Sequence, residues 1–393
     1  MRPKSLMQLH GPLIVQSALF LTLLFSGRLD LSRKYHKYFI PLIALMMVHI
    51  PMATNNYWAF TITYQMLLTL GICTAITATL GSVGQVHAFV AKWVVIIFIC
   101  TIIGLHFGRV EGSGLLGDEN DFALVMNMGI PLAYFLFEIG GSWVKQLFYL
   151  FVVGVCICGN IDSLSRGGFI GLVVACLWCV TRARRRLLVV LLICVATATA
   201  WVATPASYWD EVESIWTQGA HEGTGEERAY LWGAAWRMFK DNCIIGVGPG
   251  NYNWNVQQYE PPGGFRGQKY RGGRPAHSFF FTLLPELGMV GTWLCAGILY
   301  EAARKRPPKP PSVLSASGAP LAEARRADCL RRGLIGALIT FLATGVFLSV
   351  LYYPHLWLLT AVLVALGHAR QAEEPAADDL GRPATTAITQ PLA

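Results

Sequence analysis

The sequence predicts an all-α polytopic membrane protein of about 11–12 transmembrane helices with one large, partly helical external loop. Three observations carry this. Of 393 residues 54% are hydrophobic and only 14% charged, the mean hydropathy is +0.47, and apolar runs recur at about the 20 residues a helix needs to cross the hydrocarbon core.

Spans are expected near 10–27, 38–54, 57–80, 88–107, 121–139, 145–161, 167–181, 187–203, 278–300, 333–351 and 354–368. The first apolar run has no small-x-small cleavage pattern and reads as a retained span. Basic segments orient the rest, because cytoplasmic loops collect Lys and Arg: "TRARRR" at 181–186, "RKRPPKPP" at 304–311 and "RRADCLRR" at 325–332 are expected in the cytoplasm. Residues 204–276, 108–120 and 162–166 then fall on the opposite side, and "RLDLSRKYHK" at 28–37 returns to the cytoplasm. The expected organisation is helices over 1–203, the external loop over 204–276, C-terminal helices over 277–368 and a disordered tail over 369–393. The Pro/Ser/Ala-rich stretch 307–324 reads as a flexible cytoplasmic linker.

The formal charge of +8 sits mostly in those short loops, which disfavours nucleic acid as a partner. Most of the 10 cysteines lie in apolar runs as packing groups. Cys176 and Cys179 have C-x-x-C spacing but no second pair and no nearby His or carboxylate, so zinc is not expected there. No internal repeat suggests a two-halves transporter.

The loop 204–276 is too long to be a simple connector. Within "EERAYLWGAAWRMFKDN" at 226–242, Tyr230, Leu231, Ala234, Ala235 and Met238 recur at helical spacing, which predicts an amphipathic helix lying on the outer membrane surface. "GVGPGN" at 246–251 stops that helix, either as a turn with packing glycines or as a phosphate cradle. Asp210, Glu211, Glu213, Glu222, Glu226 and Glu227 crowd the first part of the loop; Arg266, Lys269, Arg271 and Arg274 precede the next span with no acid among them. Arg266 and Lys269 suit lipid headgroups as well as a substrate anion. Arg228, Arg271 and Arg274 are the candidates for a fixed phosphate site, because planar guanidinium grips phosphate bidentately.

His277 stands where loop becomes helix, and free N–H groups with the positive end of the helix dipole favour the neutral imidazole there. It is either a general base for a hydroxyl or a helix-start histidine that bonds the loop. Glu286 lies half a turn out of phase with it and is expected as a buried, partnered carboxylate. Arg166 in "NIDSLSRGGFIG" follows Asp162 by four positions, either a local pair or an arginine held at the membrane edge for a lipid-linked anion. Arg109 and the group Asp118, Glu119, Asn120 and Asp121 fall on the same side, so distant loops put Arg109, Arg166, Arg228, Arg274 and His277 on one membrane face.

"LSRGGFIGL" (164–172), "ERAYLWGAAWRMFKDNCIIGVGPGNY" (227–252) and "AHSFFFTLLPELGMVG" (276–291), in this order, resemble the O-antigen ligase and polymerase superfamily over roughly residues 105–295. "GDENDFALVMNMGIPLAYF" at 117–135 is similar to the ligase-like proteins that accompany exosortase systems. The resemblance implies a GT-C-like multi-pass glycosyltransferase of the bacterial inner membrane. Its active site would face the periplasm, and it would act on glycans carried by undecaprenyl pyrophosphate. It further implies that Arg166 is the membrane-edge arginine, Arg228 the arginine opening the loop helix and His277 the essential loop-end histidine. The family's histidine is commonly followed by Asn, and here Ser278 follows.

On that resemblance, His277, Arg228 and Arg166 are the expected catalytic residues, and Arg109, Arg271 and Arg274 the expected pyrophosphate contacts. Trp232, Trp236 and Tyr252, with Trp216 and Trp254, are the candidates to stack on sugar rings, while several of them are expected simply to pack the loop against the membrane. The acceptor would be lipid A core, another glycan or a protein, with membrane lipids as the other partners. No cofactor is expected, the sequence presents no metal-ligand cluster, and the reaction should invert the anomeric carbon. A ligase and a polymerase differ only in the acceptor, and the sequence leaves that open. A transporter or flippase of lipid-linked saccharide is the non-enzymatic alternative, disfavoured because its charges should sit mid-membrane on broken helices. A structural scaffold leaves the external arginines unexplained.

Overall fold

A computed structural model describes residues 35–107, 118–163, 165–203, 224–267, 273–304 and 319–373, with four isolated positions between 18 and 25. Twelve α-helices are described: α1 His36–His49, α2 Asn56–Thr79, α3 Val83–Phe107, α4 Glu119–Ile139, α5 Trp143–Asp162, α6 Arg166–Arg182, α7 Arg186–Ala203, α8 Thr224–Asp241, α9 Tyr252–Asn255, α10 Phe279–Arg304, α11 Ala319–Gly345 and α12 Pro354–Glu373. Most follow the expected spans within a few residues; the span expected at 10–27 lies largely outside the described residues. Five helices, α2, α3, α4, α5 and α10, are long and apolar enough to cross a membrane by length and composition.

Helix α4 is the hub. It is apolar all round and buried along nearly its whole length, as a helix enclosed by others must be. Helices α5, α6 and α11 pack around it, while α12 lies on α2 and α10 on α1. Lipid-facing positions such as Ile96, Phe151, Leu191 and Trp293 stay exposed, which hydrocarbon permits.

Two boundaries differ from expectation. Helix α11 begins at Ala319, inside the stretch read as a linker, and carries the basic run 325–332 as helix; Arg332 donates to the carbonyl of Arg182 (2.8 Å) and pairs with Asp328 (2.7 Å). It ends at Gly345 rather than 351, and the chain turns through 346–353 until Pro354 opens α12. The arginines at 182, 184–186, 304, 325–326 and 331–332 gather at one end of the bundle. The starts of α4, α6 and α10 and the 346–353 turn lie at the other end.

Helix α10 is broken, and the break organises that second end. Gly288 has φ 61° and ψ −164°, outside any helix and open to glycine alone. The intrahelical bonds from Met289 and Val290 to Pro285 and Glu286 are therefore lost. All four freed groups find partners in the segment after α8: Met289 N–H donates to the Cys243 carbonyl (2.8 Å) and Val290 N–H to Ile244 (3.0 Å), while Val247 N–H donates to Pro285 (2.9 Å) and Gly248 N–H to Glu286 (2.9 Å). Backbones approach so closely that a Cβ on Gly246 would collide with the Glu286 carbonyl, and one on Gly288 would lie 2.5 Å from the Ile244 oxygen.

The Glu286 side chain completes the junction. It is 3% exposed and accepts from Gly250 N–H (2.8 Å), Tyr252 N–H (3.0 Å) and the Tyr352 hydroxyl (2.6 Å). "GVGPGN" is thus a packed turn whose amides are already spent. Replacing Glu286 by Ala would strand three buried donors and is expected to cost on the order of 3 kcal/mol, against about 1 kcal/mol for Tyr352→Phe. Thermal unfolding of the two purified variants in one detergent measures this, and equal losses would show that the carboxylate is not the anchor.

Candidate functional site

At the end of the bundle opposite the basic one, residues from four segments share one electrostatic neighbourhood. The charge of Arg228 is felt by His277, and Arg228 in turn feels Arg166. Asp118 and Glu227 act on both Arg228 and His277, Glu119 on Arg228, and Arg274 on His277. Arg166, His277 and Asp118 each stand at the start of a helix, and Arg228 lies in the opening turns of α8. Their orphan N–H groups and dipoles add positive potential to that of the guanidinium groups.

Arg166 is held by its neighbours. Ser165 caps α6, its hydroxyl accepting from Gly168 N–H (2.8 Å) and donating to Asn120 Oδ1 (2.6 Å); Asn120 donates in turn to Asp118 Oδ1 (2.9 Å). A hydrogen-bonded chain thus ties the start of α6 to the start of α4. Deeper, Asn127 donates to the Gly168 carbonyl (2.8 Å) and Asn160 to Asn127 Oδ1 (2.9 Å). The glycines of "RGGFIG" let α6 lie close: a Cβ on Gly168 would sit 2.5 Å from Ala123, and one on Gly171 would strike Thr344. Asp162 and Arg166 are not one turn apart on a helix, because Asp162 ends α5 and Arg166 begins α6.

Arg228 lies half-buried with its guanidinium 5.9 Å from the centre of the Phe347 ring, a cation–π contact. One turn on, Trp232 stacks on Phe281 at 5.1 Å and 16°, and its indole N–H donates to the Ala276 carbonyl (2.9 Å). That bond fixes the residue before His277. His277 itself has φ 47°, a left-handed conformation that costs a non-glycine residue about 1–2 kcal/mol and that concentrates at functional sites. Ser278 is 1% exposed, and its hydroxyl accepts from Phe281 N–H (3.4 Å). It therefore does the helix-capping work for which Asn is equally suited.

Burial first, and then the Arg228 guanidinium, push the His277 imidazole below its ordinary value of 6.5, so the ring is neutral at pH 7. The sequence predicts this form from the helix start; the structure adds desolvation and the arginine as causes. Arg228 is itself lowered, by burial and then by Arg166.

Other expected residues lie elsewhere. Tyr252 is 1% exposed, and its hydroxyl donates to the Leu231 carbonyl (2.9 Å); it packs the core beneath α8 and is closed to a sugar ring. Trp232 is committed to Phe281 and Ala276. Trp236 is 48% exposed, beside Phe239, and Trp254 is exposed too. Leu231, Ala234, Ala235 and Met238 are fully buried against Tyr252, Val256 and Ala276, so the apolar face of α8 is spent on the protein rather than laid on a membrane surface.

The basic run before α10 is not isolated from acids in space: Arg274 pairs with Glu227 (3.5 Å) and Arg266 with Glu226 (2.7 Å). Both pairs are exposed and worth little to stability. Arg109, Arg271, Lys269 and Trp216 lie outside the described residues. Sequence reasoning missed Phe347 and Tyr353, which reach the site from the turn after α11; Tyr353 donates to Asp121 (2.9 Å). Among the described residues no group of three His, Cys, Asp or Glu side chains could hold a metal ion.

Residues 150–296, the stretch containing Arg166, Arg228 and His277, match the family model described as O-antigen ligase. No curated protein matches the chain.

Because Arg228 disfavours the imidazolium, Arg228→Gln should raise the His277 midpoint, shifting protonation toward higher pH. Histidine NMR of the labelled protein in nanodiscs, with His277→Gln to assign the resonance, checks this. An unchanged midpoint would mean that the two groups do not share a field.

Proposed function

We propose that this chain, whose residues 150–296 match the family model described as O-antigen ligase, is a glycosyltransferase that moves a glycan from undecaprenyl pyrophosphate to an acceptor hydroxyl on the periplasmic face of the bacterial inner membrane. One observation carries the reading: Arg228, half-buried, is held within the field of a second guanidinium, Arg166, and beside a neutral imidazole, His277. Asp118, Glu119 and Glu227 offset part of the repulsion between the guanidinium groups, and a diphosphate, whose oxygens accept bidentately from guanidinium, is the dense anion that suits the pair.

The chemistry follows from the charges. As the bond between the anomeric carbon and the bridging phosphate oxygen breaks, negative charge grows on the leaving pyrophosphate, where Arg166 and Arg228 stabilise it. The acceptor oxygen forms the new bond from the opposite side of that carbon, inverting it, and its proton passes to His277, whose neutral form is ready to receive it. The glycosyl pyrophosphate is already activated, so no nucleotide is needed. The two guanidinium groups do the work that a divalent cation would do at a leaving diphosphate, and transfer is expected to withstand chelation. Trp232 acts as a positioning residue through Ala276. The positive-inside rule assigns the basic ends of α6, α7 and α11 to the cytoplasm, which supports a periplasmic site.

With purified protein and a lipid-linked donor, His277→Ala should lower kcat by roughly 10²–10⁴-fold. Arg228→Ala and Arg166→Ala should each lower it by about 10²–10³-fold, and Arg228→Lys should not restore the rate because an ammonium lacks the planar fork. Wild-type transfer by His277→Ala, or loss of transfer in EDTA, would overturn the mechanism. In a deletion strain, long polymer left on its lipid carrier would identify a ligase, and single repeat units a polymerase.

A further inference from the structure

The turn 346–353 joins α11 to α12 at the end of the bundle that carries Arg166, Arg228 and His277, and its side chains are pinned to α4 and α10. Tyr353 donates to Asp121 of α4 (2.9 Å), Tyr352 to Glu286 of α10 (2.6 Å), and Thr282 of α10 to the Ser349 hydroxyl (3.1 Å). Leu348, Val350 and Leu351 are buried. A turn fastened in this way presents Phe347 in one place.

Phe347 lies half-buried between the segments that carry the two guanidinium groups. On one side its Cβ would stand 3.1 Å from a Cβ on Gly167, the residue after Arg166. On the other, its ring centre lies 5.9 Å from the Arg228 guanidinium. Trp232, one turn along α8 from Arg228, tilts over the same ring at 6.3 Å and 36° and is itself stacked on Phe281. A ring packed against a backbone and a second ring has little freedom to move.

Arg228 is held differently from the other arginines of the loop. Arg266 and Arg274 spend N–H groups on Glu226 and Glu227, and Arg237 spends its Nε–H on the Tyr259 carbonyl. Among the described residues no hydrogen bond or ion pair takes an N–H of Arg228, and its guanidinium instead meets the Phe347 ring. The face of a ring attracts the flat, delocalised cation electrostatically, while the N–H donors lie in the guanidinium plane. A ring thus holds the group and leaves its donors for a ligand, whereas a carboxylate would occupy the fork that a diphosphate needs.

We infer that Phe347 is a positioning residue: held by its turn and by Trp232, its ring fixes the Arg228 guanidinium at the site and leaves the N–H donors open to the anion of the donor substrate. The part this plays in transfer rests on the reading given above. The hold of the ring on Arg228 does not, and it is measured separately.

The test is a double-mutant cycle on the full-length protein in nanodiscs. Phe347→Leu removes the ring and keeps apolar bulk, Phe347→Met provides a second ring-free variant, and Phe347→Tyr keeps the ring. Each is made with Arg228 intact and in the Arg228→Gln background, and thermal unfolding controls for folding. Transfer is measured with a lipid-linked donor, and the His277 midpoint by NMR. Phe347→Leu should lower kcat about tenfold, and Phe347→Tyr should recover most of that loss. In Arg228→Gln the loss of the ring should cost about twofold or less, because the group it positions is gone. A guanidinium free to turn away disfavours the imidazolium less, so Phe347→Leu should raise the His277 midpoint toward its value in Arg228→Gln. In Arg228→Gln itself it should raise the midpoint no further; Asp118, Glu227 and Arg274, which also act on His277, are left in place throughout. An unchanged midpoint, an equal loss of rate in both backgrounds, or failure of Phe347→Tyr to restore the rate would overturn the assignment and leave Phe347 as packing. If the midpoint moves as expected while Arg228→Ala transfers glycan at the wild-type rate, the hold of the ring on Arg228 stands and the catalytic reading fails.

Discussion

The structure depends on an exchange of backbone hydrogen bonds at the break in α10. A helix in hydrocarbon must satisfy its own N–H and C=O groups, and an interruption survives only where protein supplies substitutes. Here the segment 243–248 supplies all four, with two donors and two acceptors matched to those freed around Gly288. The Glu286 carboxylate adds a second layer by gathering Gly250, Tyr252 and Tyr352. The external loop is thereby drawn down onto the bundle. Helix α8, whose last turn leads directly into that junction, has its apolar face closed by Tyr252, Val256 and Ala276.

Seating α8 in this way decides the geometry of the site. With its core face fixed, Arg228 and Trp232 are left beside Phe347, Phe281 and Ala276, and His277 follows Ala276 directly in a left-handed conformation. Arg166 is placed by separate means, through capping by Ser165, the bridge of Asn120, and glycines that let α6 approach α4 and α11. The loop helix and the membrane bundle therefore contribute one guanidinium each to the same field. The same helix presents Arg237 on its other flank, where its Nε donates to the Tyr259 carbonyl.

Much of this was legible in the chain. The helices stand where apolar runs of spanning length recur, because hydrocarbon thickness sets that length whatever the neighbours are. The loop helix showed in the spacing of Leu231, Ala234, Ala235 and Met238. Arg166 and His277 stood out because each puts a charged or titratable group at a loop-to-helix boundary, and Arg228 because the resemblance to the O-antigen ligase superfamily makes it the arginine that opens the loop helix. What could not be read was what those features touch. A periodic apolar face looks the same whether it meets lipid or protein, so α8 was expected on a membrane surface and is instead packed on its own chain. Tyr252 has the composition of a sugar platform and the burial of a core residue. Arg266 and Arg274, with no acid nearby in sequence, face Glu226 and Glu227 across the fold.

The sequence by itself determined the all-helical membrane class and the end of the bundle that carries the basic loops, since these rest on composition and local spacing, and its resemblance to the O-antigen ligase superfamily singled out three titratable groups to follow. Only the tertiary structure decided that α10 breaks and which groups repair it, that Glu286 is an anchor, and that Phe347 and Asp118 stand beside the site. These are pairings between residues tens to hundreds of positions apart, and hydrogen bonds and Coulomb fields depend on distance in space, which no local pattern encodes.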